Sequence, residues 1–221
     1  VLGKDHVNYG RCIVNLASLY NTLGQYSKAE QLYHEAKEIF VIKLGNQHPE
    51  YAMCLYSLGS LNFEMGNYVK AEPLLLEAMM IREKTLGKEH PEYAASLISM
   101  ANLNLKNGQS ETAEKNIIEA NAIRKKVFGE EHASYASGVK LLGSFYWFLG
   151  KFDKAEPLLL QSLTILEKTL GKQHVQYSDG LNSLAVLYVT MGNYEKAERI
   201  YLQSLQIKEG AIGKEHPDYA K

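Results

Sequence analysis

The sequence predicts an all-α protein made of antiparallel helix hairpins stacked side by side, and three observations predict it. Glycine, histidine and tyrosine each recur every 42 residues without insertion or deletion. Apolar residues within each period fall at helical spacing, and turns bearing glycine or proline separate two such stretches per period.

The period is visible in four series: Gly3, Gly45, Gly87, Gly129, Gly171, Gly213; His6, His48, His90, His132, His174, His216; Tyr9, Tyr51, Tyr93, Tyr135, Tyr177, Tyr219; and Gly24, Gly66, Gly108, Gly150, Gly192. Unbroken spacing means that each unit meets its neighbour through the same geometry. Residues 1–221 therefore read as a single array of units 9–50, 51–92, 93–134, 135–176 and 177–218, with 1–8 and 219–221 as pieces of flanking repeats.

In the first unit Ile13, Leu16, Ala17 and Tyr20 share one face of a helix, followed by Ala29, Leu32, Tyr33, Ala36 and Ile39 on a second. Between them Leu23-Gly24-Gln25-Tyr26 supplies a glycine able to end the first helix in the left-handed conformation. The other connection, Leu-Gly-Lys-x-His-Pro-x-Tyr, as in Leu86–Tyr93, stops the second helix at glycine and restarts the chain after proline. Pro73 and Pro157, each in Ala-Glu-Pro-Leu-Leu-Leu, predict a mild kink or a late start of the second helix.

Apolar residues at 46% and charged residues at 22% allow a substantial core. A net charge of −1, from 24 Lys and Arg against 25 Asp and Glu, gives no field favouring nucleic acid or anionic lipid. No apolar run is long enough to span a membrane, and Val1-Leu2-Gly3-Lys4-Asp5-His6 has no signal pattern, so a soluble cytoplasmic piece is expected. Cys12 and Cys54 occupy the same point of successive repeats, too far apart for a disulfide, and read as reduced thiols packed in the stack.

Catalytic chemistry finds little support. Equivalent histidines are separated by a helix pair, on the order of 10 Å, so two cannot share a metal ion, and they read as turn residues bonding nearby backbone. Gly87-Lys88 and Gly171-Lys172 lack the remainder of a phosphate loop, and neither G-x-S-x-G nor H-E-x-x-H occurs. No cofactor, metal or enzyme activity is predicted. The 15 tyrosines are mainly packing residues with a polar tip.

Leu142-Gly143-x2-Tyr146 followed by Ala155 resembles the tetratricopeptide pattern, and the match covers the whole chain. The 42-residue period with its Leu-Gly-Lys-x-His-Pro connection is similar to the kinesin light chain subclass. Ile13, Leu55, Leu97, Val139 and Leu181 stand where the family often has tryptophan, and Asn62 and Asn104 replace its tyrosine. The resemblance implies a right-handed superhelix (an α-solenoid) whose first helices line a concave groove, placing Tyr56, Phe63, Ile98, Leu105, Trp147 and Phe148 along one channel. It also implies cargo or partner recruitment through a bound peptide. The third unit is the least regular, with Ser110 at the turn and Asn116, Glu119 and Asn121 in its second helix, which marks it as a soft joint or special site.

Opposite the packed face, the first helix carries Arg11, Val14, Ser18, Asn21 and Thr22, a set expected to be solvated unless it binds something. The same face in later units carries too many apolar residues for plain solvation. The candidate groove residues are Met53, Tyr56, Phe63, Ile98, Asn102, Leu105, Lys106, Lys140, Ser144, Trp147, Phe148 and Asn182, with Trp147 as the foremost anchor. Phe63, Leu105 and Val189 have an equally good reading as packing between adjacent units. Basic and amide residues on this face are too scattered for a carboxylate clamp.

The expected function is a scaffold binding a protein or peptide in the groove. The alternative is a structural or regulatory arm of a larger signalling protein or protease, contacting partners through its ends or outer helices. Ends that lack polar caps leave surface for self-association.

Overall fold

The computed structural model describes residues 6–212; the expectations for Gly3, Gly213, His216 and Tyr219, and for the flanking pieces, lie outside them. Ten helices and no strand occur among the described residues: α1 Val7–Thr22, α2 Tyr26–Leu44, α3 Pro49–Glu64, α4 Tyr68–Leu86, α5 Pro91–Lys106, α6 Ser110–Phe128, α7 Ala133–Phe148, α8 Phe152–Leu170, α9 Val175–Thr190 and α10 Tyr194–Ile212. Every first helix has 16 residues and every second helix 19. The prolines do not delay the second helices: α4 and α8 start in the register of α2 and run through Pro73 and Pro157.

Two backbone devices set this register. At the hairpin turn, Gly66 takes φ 78°, its N–H bonds to the Phe63 carbonyl at 3.0 Å, and the Asn67 N–H bonds to the Asn62 carbonyl at 2.8 Å. This crossed pair satisfies the carbonyls that α3 leaves free. At the long connection Gly87 lies at φ 87°, ψ 161°, a region essentially closed to side-chain-bearing residues.

Histidine then caps the next helix. The Nδ1 atoms of His6, His48, His90, His132 and His174 accept the backbone N–H two residues on, at 3.0 to 3.2 Å. The histidine series is thereby committed to helix N-termini, as its turn position predicts.

The chain divides between Ala120 and Asn121 into two compact units, and the division falls within α6, the second helix of the irregular third repeat. In the first unit α1 pairs with α2 and α3 with α4, while α3 also packs on α2 and α5 on α4. Close approach depends on small residues: Ala17, Ala29, Ala36, Ala52 and Ala78 are fully buried, and a Cβ on Gly59 would meet Leu75 at 2.7 Å. In the second unit α7 pairs with α8, α9 with α10, and α9 packs on α8, where a Cβ on Gly180 would meet Leu163 at 2.8 Å. Gly138 leaves room for the Asn121 amide in the same way.

Tyrosines of the Tyr9 series bind across a hairpin. Tyr9 and Tyr51 hydroxyls donate to Glu35 and Glu77 at 3.1 and 3.3 Å. Burial, then the nearby Glu77 carboxylate, raises the Tyr51 pKa above its ordinary value.

Three expectations need correction. Val14 is buried rather than solvated, because its side of α1 meets α2, where the Ser18 and Tyr33 hydroxyls lie 2.9 Å apart. Leu16 is 40% exposed although it belongs to the predicted packed face. Its counterpart Leu58 is fully buried in a helix that packs on a preceding second helix, and no second helix precedes α1 among the described residues. For the same reason Cys12 is exposed while Cys54 is buried, its thiol donating to the Tyr33 carbonyl at 3.2 Å and pushed by burial to about 12.

Two measurements follow from these contacts. His90→Ala should lower unfolding stability by about 1 kcal/mol in urea titration, with His90→Asn recovering most of it. A thiol reagent at neutral pH should modify Cys12 rapidly and Cys54 only after denaturant is added.

Candidate functional site

Seven candidate groove residues lie in the first unit, Met53, Tyr56, Phe63, Ile98, Asn102, Leu105 and Lys106, on α3 and α5. The two helices are neighbours, and the Ser99 hydroxyl donates to the Tyr56 hydroxyl at 3.1 Å. Met53 is half-buried against the core of the first two hairpins. Tyr56 and Phe63 pack on a smaller cluster of Ala71, Leu75 and Leu103, and the Phe63 ring lies 5.2 Å from that of Tyr68. Ile98, Asn102 and Leu105 are half-buried, whereas Lys106 is exposed. Phe63 thus contributes to packing and still reaches the surface.

Between α3 and α5 opens a cleft of about 240 Å³ lined by Ser60, Phe63, Glu64, Leu75, Ser99 and Asn102. Arg82, absent from the sequence-based candidates, lies against Tyr56 where α4 meets α5. It is 4% exposed, its guanidinium sits 4.3 Å from the Tyr56 ring centroid, and Nη1 donates to the Glu92 carbonyl at 3.2 Å and to Ser96 Oγ at 2.9 Å. Nε lies 3.3 Å from Glu92 Oε2. Burial lowers the Arg82 pKa and the Glu92 carboxylate opposes that shift, so the cation is held by its partners. The basic residues Arg82, Arg124 and Lys208, on an offset that holds Phe40 and Leu166 in the other two repeats, were the available signal.

The second unit carries Lys140, Ser144, Trp147 and Phe148 on α7 and Asn182 on α9. Trp147 is half-buried, and its Nε1–H donates to Thr190 Oγ1 on α9 at 2.9 Å. This bond reaches from one first helix to the next, as Ser99 to Tyr56 does in the first unit, so Trp147 is both an anchor candidate and an inter-repeat contact. Phe148 is 65% exposed, and Lys140, Ser144 and Asn182 are half-buried. Behind this face the Tyr188 hydroxyl donates to Glu156 at 2.6 Å, and burial with that carboxylate raises its pKa to about 12.

The tetratricopeptide repeat sequence profile matches residues 11–84, 51–126 and 138–210. The chain belongs to the tetratricopeptide repeat family. Its hairpin fold is that of tetratricopeptide solenoids, and the repeat is in general a scaffold for protein interaction. No curated protein matches the chain.

Among solved structures it is similar to a putative kinesin light chain with nearly identical tetratricopeptide-like repeats from Podosopora anserina, at 28% identity and TM-score 0.74, covering 94% of this chain and 98% of that one. BtubC (BKLC) from P. vanneervenii matches at 25% identity and TM-score 0.74 over 93% of this chain and 81% of that one. The Rap conjugation gene regulator of plasmid pLS20, in complex with the Phr* peptide, shares the fold at 14% identity and TM-score 0.72, over 90% of this chain and 53% of that one. The first two of these structures bear out the kinesin light chain-like resemblance.

Within this repeat array Arg82→Ala should cost about 2 kcal/mol in chemical denaturation, because Ser96 loses a buried partner while the half-exposed Glu92 side chain rehydrates. Arg82→Met, which keeps the packing volume, should cost less.

Proposed function

We propose that the first-helix faces within a unit form a groove that binds a peptide segment of a partner protein, and that this chain works as a recruitment scaffold without catalysis. The observation that carries the reading is the set of aromatic, apolar and amide side chains, on α3 and α5 in the first unit and on α7 and α9 in the second, that the core does not use up. Phe63, Ile98, Leu105 and Trp147 remain half-exposed, Phe148 is largely exposed, and Asn102 and Asn182 stand beside them with hydrogen-bonding capacity. Rigid aromatic rings flanked by amide groups are the usual anchors of a recognition surface. The complex of a Rap protein with a peptide supports the reading, since it shows a peptide bound by a protein of the same fold.

A second reading has its own observation. On the second helices Ile42, Val69 and Met80 are 75%, 89% and 60% exposed, which suits a structural or regulatory arm contacting partners through its outer helices.

Peptides selected from a displayed random library on the purified chain, then measured by fluorescence anisotropy, separate the two. Phe148→Ala and Trp147→Ala should each weaken binding at least tenfold while the helical circular dichroism signal persists. Phe148→Ala should also leave the melting temperature unchanged. Unaltered binding in these variants together with loss in Ile42→Glu or Val69→Glu would transfer the function to the outer helices.

A further inference from the structure

In the first unit the carboxyl ends of α3 and α5 carry opposite charges at equivalent positions, Glu64 and Lys106, each the last residue of its helix. Both are exposed, and neither has an ion-pair partner among the described residues. Glu64 is placed against the local field. The carboxyl end of a helix is its negative pole, and the last turn of α3 contains no basic residue, so the carboxylate adds to a potential that no cation of this helix end offsets. On α5 the arrangement is the ordinary one, with Lys106 at the negative pole.

Glu64 also lines the cleft between α3 and α5. Leu75, 1% exposed, forms part of the lining with Phe63, and Ser60, Ser99 and Asn102 contribute polar groups. An apolar wall beside an unneutralised carboxylate matches a side chain with an aliphatic stem and a cationic tip, which keeps its charge in water while its methylenes cover apolar surface. Adjacent helices lie about 8–10 Å apart, and an extended segment advances about 3.3 Å per residue. Three residues of peptide therefore span the interval from one first helix to the next.

We propose that this site selects an extended peptide segment with a lysine or arginine in the cleft at Glu64 and an aspartate or glutamate about three residues away at Lys106. The inference rests on the peptide-binding reading above and adds its charge code. Either chain direction satisfies the pairing, so the spacing and the opposite signs are what the site reads, while Ser60, Ser99 and Asn102 supply hydrogen bonds to the peptide backbone. Charge pairs of this kind discriminate partners more than they add affinity.

The test uses nine-residue synthetic peptides in a Ser/Ala/Leu background, immobilised as an array and probed with the full chain. The variable pairs are Lys-x-x-Glu, Glu-x-x-Lys, Lys-x-x-Lys, Glu-x-x-Glu, Gln-x-x-Gln and Lys-x-Glu. Wild-type protein should retain at least one of the oppositely charged peptides of three-residue spacing at least fivefold better than the like-charged, neutral and mis-spaced ones. Glu64→Lys should transfer the preference to Glu-x-x-Glu and Lys106→Glu to Lys-x-x-Lys, with circular dichroism unchanged because both positions are exposed. Charge-indifferent binding by wild type, or a preference unmoved in Glu64→Lys, overturns the inference. If Phe63→Ala still abolishes such charge-indifferent binding, the groove reading survives alone; if no peptide binds wild type, both fail.

Discussion

Leu58 and Leu61 of α3 are fully buried, whereas their counterparts Leu16 and Leu19 in α1 are 40% and 53% exposed, and the difference measures what a neighbouring hairpin contributes. Two amphipathic helices cannot cover their own apolar surface, so the second helix of one repeat completes the core of the next. The constraint explains why the period admits no insertion. One extra residue in a helix would rotate the buried leucines by about 100° away from the neighbour that covers them.

Hairpins built to one period could pair in the wrong register, and buried polar groups give particular junctions their own partners. Arg82 holds Glu92 and Ser96 where α4 meets α5. In the second unit Lys208, 5% exposed, faces Asp179 at 3.6 Å, and the Ser178 and Ser204 hydroxyls lie 2.7 Å apart. Ser178 and Ser204 lie where most other repeats place alanine, and Arg82 and Lys208 share one offset that holds Phe40 and Leu166 elsewhere, so a hairpin mispaired with an apolar junction would leave such a group without a partner in low dielectric. Buried Asn62 carries a similar cost: its amide nitrogen bonds to the Leu58 carbonyl at 2.9 Å, but its oxygen has no hydrogen-bond partner.

The candidate binding surface is what remains after these demands are met. The partly exposed faces of the first helices cannot be wholly polar, because Tyr56, Phe63 and Trp147 each brace one first helix against a neighbouring element. Nor are they wholly buried, since a single helix pair per repeat leaves one side uncovered. Half-buried aromatics beside exposed charged residues are the outcome, and on them the proposed recognition rests.

Much of this was legible in the residues themselves. The 42-residue period, the helix pair, the glycine turns and the histidine positions are local matters, decided by backbone sterics and by hydrogen bonds a few residues long, so one copy of the pattern predicts the rest. The partition of each face was not legible. A helical wheel places Val14 opposite Ile13 and Leu16 but carries no information on how far α2 wraps around α1, and it cannot foresee that Arg82 closes over Tyr56 from a different helix. Only tertiary structure decided those points, because burial is set by the distance and angle to two or three neighbours at once, and no periodicity along one axis encodes them.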